Sequence, residues 1–441
     1  MSEMAPLTQE ELELARQYDL SSKIIPFLDR HLIYPLIESL DLIYDEKIIN
    51  QLSYDLLKET NMVKFVKDKY QTLNPGKEFP PELLEKEKFV SSELIRLDSE
   101  TKNTLNILSR REVQDNLKQD KNYNKEYLEK NFQITEEKIN ELYEFGQFQY
   151  NRGDYVMASD LLNNFKVLST NNDLNISATW GRLASEIIRL DWDNALQELG
   201  KLRDLVDSRS FSDPLTQLHH RTWIIHWSLF PFFNTLNGLD QLCDLFFSSS
   251  YLSTIQAACP WILRYLVAAV ISTSLKNHQS NVFQKRLKDL IKVVSQEQYE
   301  YNDPLTMFLK SLYLEFDFVE AQNNLKKIEV LVKTDFFLNN IAEKCLENSR
   351  YLISEVYCRV HSKIDLLQLS ESLNLSKEQG EKWIANLIKE TKLDAKINES
   401  EGTIIMNHQV NSVYQQVIEK TKGLSFRSNQ ILMSTLQKQE N

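Results

Sequence analysis

The sequence predicts a mainly α-helical protein: a right-handed, tetratricopeptide-like solenoid of helical hairpins, then a small mixed module and a C-terminal helix. Three observations support this fold class. The 441 residues include only 9 glycines and 10 prolines, which permits long uninterrupted helices. A short helical pattern recurs three times in the middle of the chain. Near residue 393 the apolar spacing changes from the helical to the strand period.

Residues 1–130 are predicted to form an N-terminal helical region. Thr8 and Glu11 have the spacing of a capping box at the start of an acidic amphipathic helix, so this start does not fit a signal peptide. Amphipathic stripes then continue to a turn at Asn74–Gly76. The segment Asp98–Lys130 is charged and poor in large apolar residues. It is either a solvated helix or a connection, and the first domain boundary is placed at its end.

Residues 131–343 are predicted to form the helical-repeat solenoid. An acidic residue and an aromatic residue are followed by an alanine three positions on and a leucine four beyond it, and this pattern occurs three times. The first two copies are 37 residues apart, close to the period of tetratricopeptide-like hairpins. Chance similarity among amphipathic helices is the alternative. The copies are Asp154, Tyr155, Ala158 and Leu162; Asp191, Trp192, Ala195 and Leu199; and Asp317, Phe318, Ala321 and Leu325.

Two Asp-Pro pairs predict further helix starts in the same region. Asp213 precedes Pro214 and Asp303 precedes Pro304, and each pair fits an N-cap residue followed by proline at the first helical position. Beyond them, Glu343–His361 is one continuous helical pattern. The solenoid is therefore expected to continue into the next module without a flexible linker.

Residues 344–408 are predicted to form a winged helix, because the expected order of elements is helix, helix, strand, turn and strand. The elements are a helix over Ile364–Leu373, a second helix opened by a capping box of Ser376 and Gln379, and strands at Leu393–Ile397 and Thr403–Met406. From Ile364 to His408 there are five lysines and no arginine against eight acidic residues. Because nucleic-acid readers need a basic footprint, this wing is expected to contact protein.

Residues 409–441 are predicted to form a C-terminal amphipathic helix and tail. Its stripe includes Val413, Val417, Leu424 and Ile431 among polar residues, with a weak point at Gly423. A bare stripe of this kind would leave about 1.5 to 3 kcal/mol per large apolar side chain unused. Either this chain folds back over the helix or another chain covers it, and the sequence leaves both open.

Composition excludes several function classes. The formal net charge of -12 disfavours indiscriminate RNA or membrane binding. The longest mostly apolar run, Trp261–Ile271, is too short for a membrane span and contains Arg264. The four cysteines are far apart, which disfavours a zinc or disulfide framework and fits a reducing, cytoplasmic setting.

No catalytic, metal or cofactor site can be proposed from the sequence. The glycines are too widely spaced for a dinucleotide or nucleotide-phosphate loop. His219 and His226 share a helical face but lie two turns apart, about 10 Å by helix rise, so they are expected to pack or hydrogen-bond rather than bind one ion. The chain is therefore predicted to be neither an enzyme nor a binder of cofactors or small-molecule substrates.

One basic patch is a candidate RNA contact. Lys285, Lys288 and Lys292 share a helical face opposite apolar residues, within a segment that also contains Arg264, Lys276 and Arg286. An ordinary solvated helix face is the alternative, since stacking aromatics are not interleaved with the lysines.

Long strings of residues resemble a known family. A helical solenoid that leads into a winged helix and a terminal helix is similar to the PCI module of the proteasome lid, the COP9 signalosome and initiation factor complexes. From about Tyr18 to Ser428 the chain resembles the E-subunit family of eukaryotic translation initiation factor 3, with the PCI helical part from about residue 221. The strings are FLDRHLIYPLIE (Phe27–Glu38), RTWIIHWSLF (Arg221–Phe230), ILRYLVAAVI (Ile262–Ile271), WIANLIKETKLDAKI (Trp383–Ile397) and YQQVIEKTKGLSFRS (Tyr414–Ser428).

The resemblance implies a non-enzymatic scaffold within a multisubunit complex on the small ribosomal subunit, which supports recruitment of initiator tRNA and mRNA. Partners would be other PCI and MPN subunits of the factor and the small ribosomal subunit, with mRNA or rRNA as open alternatives. It implies that Trp383, Ile384 and Leu387 are structural core. Implied subunit contacts at the winged-helix edge are Leu393, Ala395, Ile397 and Ile404, and those of the terminal helix are Val413, Tyr414, Val417, Ile418 and Leu424.

Two alternative functions stay open at this point. The chain could be a PCI subunit of the proteasome lid or of the COP9 signalosome. Co-purification with small ribosomal subunits rather than with a protease would exclude this alternative. It could also be a winged-helix regulator that binds nucleic acid. That alternative predicts tight duplex binding by residues 364–408 alone, against the negative charge of the module.

Overall fold

A computed structural model shows a mainly helical protein, as predicted. It describes residues 7–116, 121–208, 213–273, 281–361, 363–365, 395–398, 403–406 and 413–439. The chain divides into two compact units, Met1–Ser349 and Arg350–Asn441.

The first unit begins with helices from the N-terminal region. The predicted capping box is confirmed, since Thr8 and Glu11 bond reciprocally at the start of the first helix. The charged segment after residue 98 belongs largely to helix, and its first part continues one 28-residue helix. The elements are α1 (Gln9–Gln17), α2 (Ser21–Ile24), α3 (Arg30–Ser39), α4 (Glu46–Lys58), α5 (Val63–Leu73), α6 (Pro81–Leu108), α7 (Arg111–Asn116) and α8 (Lys121–Phe132), with 3₁₀ turns at Ile25–Phe27 and Leu40–Leu42.

Successive helices of the rest of this unit pack on their neighbours in chain order, as expected for helical hairpins. Asp213 and Asp303 cap α13 and α18 with proline at the start of each helix, as predicted. The elements are α9 (Glu136–Arg152), α10 (Tyr155–Leu168), α11 (Asn172–Ile188), α12 (Trp192–Ser208), α13 (Pro214–Asn234), α14 (Gly238–Phe246), α15 (Ser249–Ala258), α16 (Leu263–Ser272), α17 (Asn281–Glu297), α18 (Pro304–Lys310) and α19 (Phe318–Thr334), with short turns of 3₁₀ helix at Pro260–Ile262 and Asn339–Ile341 and of π-helix at Ser311–Glu315.

The recurring sequence pattern marks a recurring turn. In each copy the aspartate precedes a helix and accepts a backbone hydrogen bond from its first turn, as N-cap residues do. The alanine and the leucine of every copy are buried, so both positions face the interior. The residue before each aspartate has a positive φ: +93° at Gly153, +61° at Leu190 and +55° at Phe316. The buried pairs are Ala158 and Leu162, Ala195 and Leu199, and Ala321 and Leu325.

The N-terminal segment packs against helices far along the chain. The Phe27 carbonyl accepts a hydrogen bond from Trp227 Nε1 at 2.9 Å, and the Phe27 ring stacks on His226 with 4.5 Å between centroids. His31 Nδ1 lies 2.9 Å from the Tyr155 hydroxyl. Helix α1 packs on α19. Long-range contacts of this kind join the N-terminal region to the repeats within one unit.

A buried ionic cluster lies at the same junction. Arg264 is only 2% exposed, and its guanidinium reaches Asp303 at 2.6 Å and Asp335 at 3.3 Å. It also donates to the carbonyl of Tyr18 at 2.7 Å. Burial raises the pKa of Asp335, and the neighbouring guanidinium opposes that shift. The arginine inside the apolar run is therefore an interior cation whose partners come from three separate segments.

The second unit contains a small sheet and a long terminal helix. Helix α20 (Ala342–Val360) confirms the predicted continuous helix and crosses the division between the units. Strands β1 (Lys363–Asp365), β2 (Ala395–Asn398) and β3 (Thr403–Met406) form an antiparallel sheet in the order β1, β3, β2. The predicted helix starting at Ile364 is wrong at that residue, because Ile364 pairs with Ile404 as a strand. Helix α21 (Val413–Gln439) is continuous through Gly423.

No single helix of the described residues is long and apolar enough to cross a membrane. Ser249–Ala258 and Pro260–Ser272 meet the length and composition requirement only as a pair, and the pair is bent by 117° at its break.

Candidate assembly surfaces

Helix α21 exposes its apolar side chains. Spacings of four, seven and seven residues place Val413, Val417, Leu424 and Ile431 on one face. Tyr414 is 82% exposed, and the predicted contact residues Val417 and Ile418 are also more than half exposed. We call the exposed large apolar side chains on and beside this face of the helix the α21 stripe: Val413, Tyr414, Val417, Ile418, Leu424, Ile431 and Leu432.

These side chains are available for a partner, because the described part of the chain does not cover them. Within the described residues, α21 is not buried as a helix folded back on its own chain would be. Monomeric proteins rarely expose a contiguous apolar stripe of this length, and such stripes mark interaction sites. All five terminal-helix residues predicted from the resemblance lie in the α21 stripe, so the structure brings them together.

The sheet of the second unit offers an edge. Ala395 and Ile397 lie on β2, which pairs with β3 alone among the described strands. The prediction that Ile404 lies at the same edge is wrong, because β3 is the central strand, paired to β1 and β2. Leu393 lies outside the described residues, as do Trp383, Ile384, Leu387 and the predicted capping box of Ser376. An unpaired strand edge can accept a strand from another chain.

The basic patch is smaller than its sequence suggests. Lys285, Lys288 and Lys292 are exposed on α17, opposite a buried face that includes Leu287 and Leu290, as predicted. Two of the neighbouring cations do not belong to it. Arg264 is buried in the ionic cluster, and Arg286 pairs with Asp240 at 2.8 Å and Asp244 at 2.6 Å. Lys276 lies outside the described residues.

The histidine segment is structural where its geometry is described. His226 is fully buried, its Nδ1 lies 2.7 Å from the Thr222 carbonyl, and its Nε2 accepts from Trp261 Nε1 at 3.1 Å. These partners require the neutral tautomer with its hydrogen on Nδ1. Burial lowers the pKa of His226 to about 4, although the bond to Thr222 opposes that shift. The predicted packing and hydrogen-bonding role is therefore confirmed for this residue.

The described residues do not bring together three or more metal-ligating side chains. Cys243, Cys259, Cys345 and Cys358 are buried free thiols, and burial raises the pKa of Cys243 and Cys259 to about 12. These thiols are protonated and inert at neutral pH, because the thiolate is the reactive form.

An open groove of about 530 Å³ lies between α12, α14 and α15. Charges of both signs line it, and each described ionic side chain in it has a partner nearby. Asp207 pairs with Arg221, Asp244 with Arg286, and Arg203 with its neighbour in sequence.

Sequence reasoning missed two features of the first unit. Arg264 could have been suspected, because a lone cation within an apolar run needs buried partners. Its partners Asp303 and Asp335 lie 39 and 71 residues away, so no local spacing indicates them. The positive φ of Leu190 and Phe316 leaves no signal in the sequence, because both residue types normally avoid that conformation.

Comparisons with known proteins show which family this chain resembles. Three family models match. The model "eIF3 subunit 6 N terminal domain" covers residues 19–149, "PCI domain" covers residues 325–408, and the C-terminal model of the E subunit of eukaryotic translation initiation factor 3 covers residues 412–433. The last two ranges contain the sheet and most of α21.

Curated relatives match over nearly the whole chain. The E subunit of translation initiation factor 3 from Yarrowia lipolytica is 56% identical over 419 residues, which are 94% of this chain and 98% of the relative. The Aspergillus fumigatus E subunit is 49% identical, and the match covers 97% of this chain and 94% of the relative. The Aspergillus niger E subunit is also 49% identical, and the match covers 98% of this chain and 96% of the relative. Identity of this extent, together with the PCI domain and the three matching models, places the chain in the E-subunit family of eukaryotic translation initiation factor 3.

Proposed function

We propose that this protein is a non-catalytic scaffold subunit of the cytoplasmic translation initiation factor 3 complex, and that it supports recruitment of initiator tRNA and mRNA to the small ribosomal subunit. The α21 stripe carries this proposal. It is a helix face that the described chain leaves bare, and helix faces of this kind bury themselves in helical bundles with other chains.

In this proposal two surfaces join the chain to other PCI and MPN subunits. The edge of β2 near Ala395 and Ile397 would pair with a neighbouring winged helix, and the α21 stripe would enter an intersubunit bundle. The domain division at residues 130, 343 and 408 belongs to the same proposal. In this proposal the solenoid separates the N-terminal region from the last hundred residues, which bind the other subunits.

Assembly is tested by charging the stripe. We expect Val417→Asp with Ile418→Asp to weaken binding of the other factor 3 subunits about 1000-fold, since two central anchors of an interface each contribute roughly 2 kcal/mol or more. The measurement is quantitative mass spectrometry of the affinity-tagged full-length chain. The matched control is Gln415→Asp with Gln430→Asp, which changes the net charge equally at exposed positions on the opposite side of the helix. Equal recovery of the subunits with both double variants would contradict the α21 interface.

A narrower proposal concerns RNA. Lys285, Lys288 and Lys292 are exposed along one face of α17 and could contact phosphates of rRNA or mRNA. Replacing all three with glutamate should weaken binding of a fluorescent single-stranded RNA to the full-length chain at least tenfold and flatten its salt dependence. The control replaces the exposed Lys58, Lys130 and Lys138 instead. Unchanged RNA association in the α17 variant would show an ordinary solvated helix face.

A further inference from the structure

Two of the three repeat turns place a large apolar side chain where the backbone favours glycine. Leu190 and Phe316 have left-handed φ values, whereas the equivalent residue of the first turn is Gly153. The left-handed conformation is unfavourable for residues with a Cβ, which approaches the following carbonyl oxygen. Burial does not compensate for this in the chain, because Leu190 is 66% and Phe316 is 52% exposed. Because strained backbone clusters at functional sites, each of these two turns is a candidate for a function, and other features must decide between them.

The turn at Phe316 differs from the other two in its length. In the first two turns the aspartate amide bonds to a carbonyl five residues back, as Asp191 does to Glu186. In the third, Asp317 bonds to Ser311, six residues back, because the preceding turn is π-helical. A π-helical turn contains one extra residue and is frequent at functional sites. The π-helical turn that contains the extra residue, Ser311–Glu315, directly precedes Phe316.

Apolar side chains cluster along this longer turn. Leu314 and Val319 flank Phe316 within six consecutive positions, and Val319 is 69% exposed. We name Leu314, Phe316 and Val319 the apolar turn. Leu190, by contrast, is followed by a half-buried Trp192 and stands alone as an exposed apolar residue at its turn.

Acidic residues surround the apolar turn. From Lys310 to Glu320 there are three acidic residues and one lysine, and that lysine lies 3.1 Å from Glu315. Glu315 and Asp317 are exposed between the apolar positions. This balance repels phosphate and attracts cationic side chains, so a complementary ligand would be basic with an apolar anchor.

The chain itself shows what kind of element packs on a repeat turn. At the first turn the connection between α4 and α5 docks: the Asn61 amide donates to the Asn151 carbonyl at 3.0 Å. Met62 lies so close to Gly153 that a Cβ there would approach its methyl group to 3.1 Å. A polypeptide turn with an apolar tip thus occupies the repeat-equivalent position of the apolar turn.

We propose that the apolar turn is a docking point for a basic polypeptide segment of another protein, which places an apolar side chain beside Phe316. This contact is separate from the α21 and β2 surfaces and does not depend on them. The third repeat turn would then bind an apolar side chain of another protein, as the first turn binds Met62 of this chain.

The occupant is identified by photo-cross-linking. Phe316 is replaced by p-benzoylphenylalanine in the full-length chain, the assembled complex is purified and irradiated, and the cross-linked peptides are sequenced by mass spectrometry. We expect a peptide of another protein with more lysine and arginine than acidic residues. The same replacement at Leu190 is the control and should not yield that peptide. Cross-links to nucleic acid only, to this chain only, to a neutral or acidic peptide, or to nothing would overturn the proposal.

The second measurement separates binding from folding. A synthetic copy of the cross-linked segment is titrated against the purified chain carrying Phe316→Gly, Phe316→Asn or Leu190→Gly. Glycine and asparagine tolerate the left-handed backbone, so all three variants should fold with an unfolding temperature close to that of the wild type. Both Phe316 variants should bind the peptide at least tenfold more weakly, and Leu190→Gly should bind it normally. Unchanged affinity of a folded Phe316 variant for the peptide would contradict the proposed docking point.

Discussion

The ionic cluster around Arg264 and the α21 stripe are opposite exceptions to the rule that apolar groups are buried and charges are solvated. In the first unit a guanidinium is 2% exposed, and side chains of the same chain surround it. In α21 large apolar side chains are mostly exposed. This chain itself supplies partners for the buried guanidinium. The described residues do not cover the α21 stripe.

This difference indicates which interfaces belong to the fold and which await a partner. Arg264 connects the Tyr18 carbonyl, Asp303 and Asp335, so the cluster fixes the N-terminal segment on the late helices. Nothing comparable holds α21 within the described residues. The first unit is therefore expected to fold by itself, whereas in our proposal the terminal helix becomes buried in the assembled complex.

The largest effect should follow from breaking the ionic cluster. Arg264→Met leaves the carboxylates of Asp303 and Asp335 buried without their cation, and loss of one partner from a buried ion pair typically costs about 3 to 5 kcal/mol. Urea unfolding of the full-length chain measures the change in free energy.

The control for this substitution is Arg286→Met. Arg286 also pairs with two aspartates, but Asp240 and Asp244 are solvent-exposed, so we expect a loss below about 1 kcal/mol. Equal losses from the two substitutions would mean that the Arg264 cluster has no special role in stability.

A smaller effect should come from acid, through His226. Its pKa is about 4 in the folded chain and about 6.5 when unfolded, so the unfolded chain binds more protons between these values. Stability therefore falls as the pH drops through this window, by about 2 kcal/mol between pH 7 and pH 5 from this group. His226→Gln should reduce the loss measured by urea unfolding at these two pH values. An identical pH dependence in the variant would contradict the assignment.

The smallest effect on stability should come from α21. Val417→Asp with Ile418→Asp replaces exposed side chains, so the free energy of unfolding of the isolated chain should change by no more than about 0.5 kcal/mol. The same variant should lose its partners, as proposed above. A large loss of stability would show that α21 packs on its own chain, and the contrast with Arg264 would disappear.

Local signals in the sequence predicted local structure well. Asp213 and Asp303 predicted helix starts because a cap bonds only to the next turn of its own helix. The recurring Ala195 and Leu199 are both buried, because helical spacing fixes which residues share a face. The helix predicted from Ile364 failed at that residue because strand formation depends on a partner, Ile404, that lies 40 residues away.

The sequence by itself determined the helical fold class, the repeat turns, the apolar stripe of α21 and, through its long characteristic strings, the family. Only the tertiary structure showed that Arg264 is an interior cation, that Ile404 lies in a central strand, and that Phe316 adopts a left-handed backbone. The physical reason is range. Helix propensity, capping and periodicity act over a few residues, whereas burial, ion pairing and strand pairing depend on segments that meet only after folding.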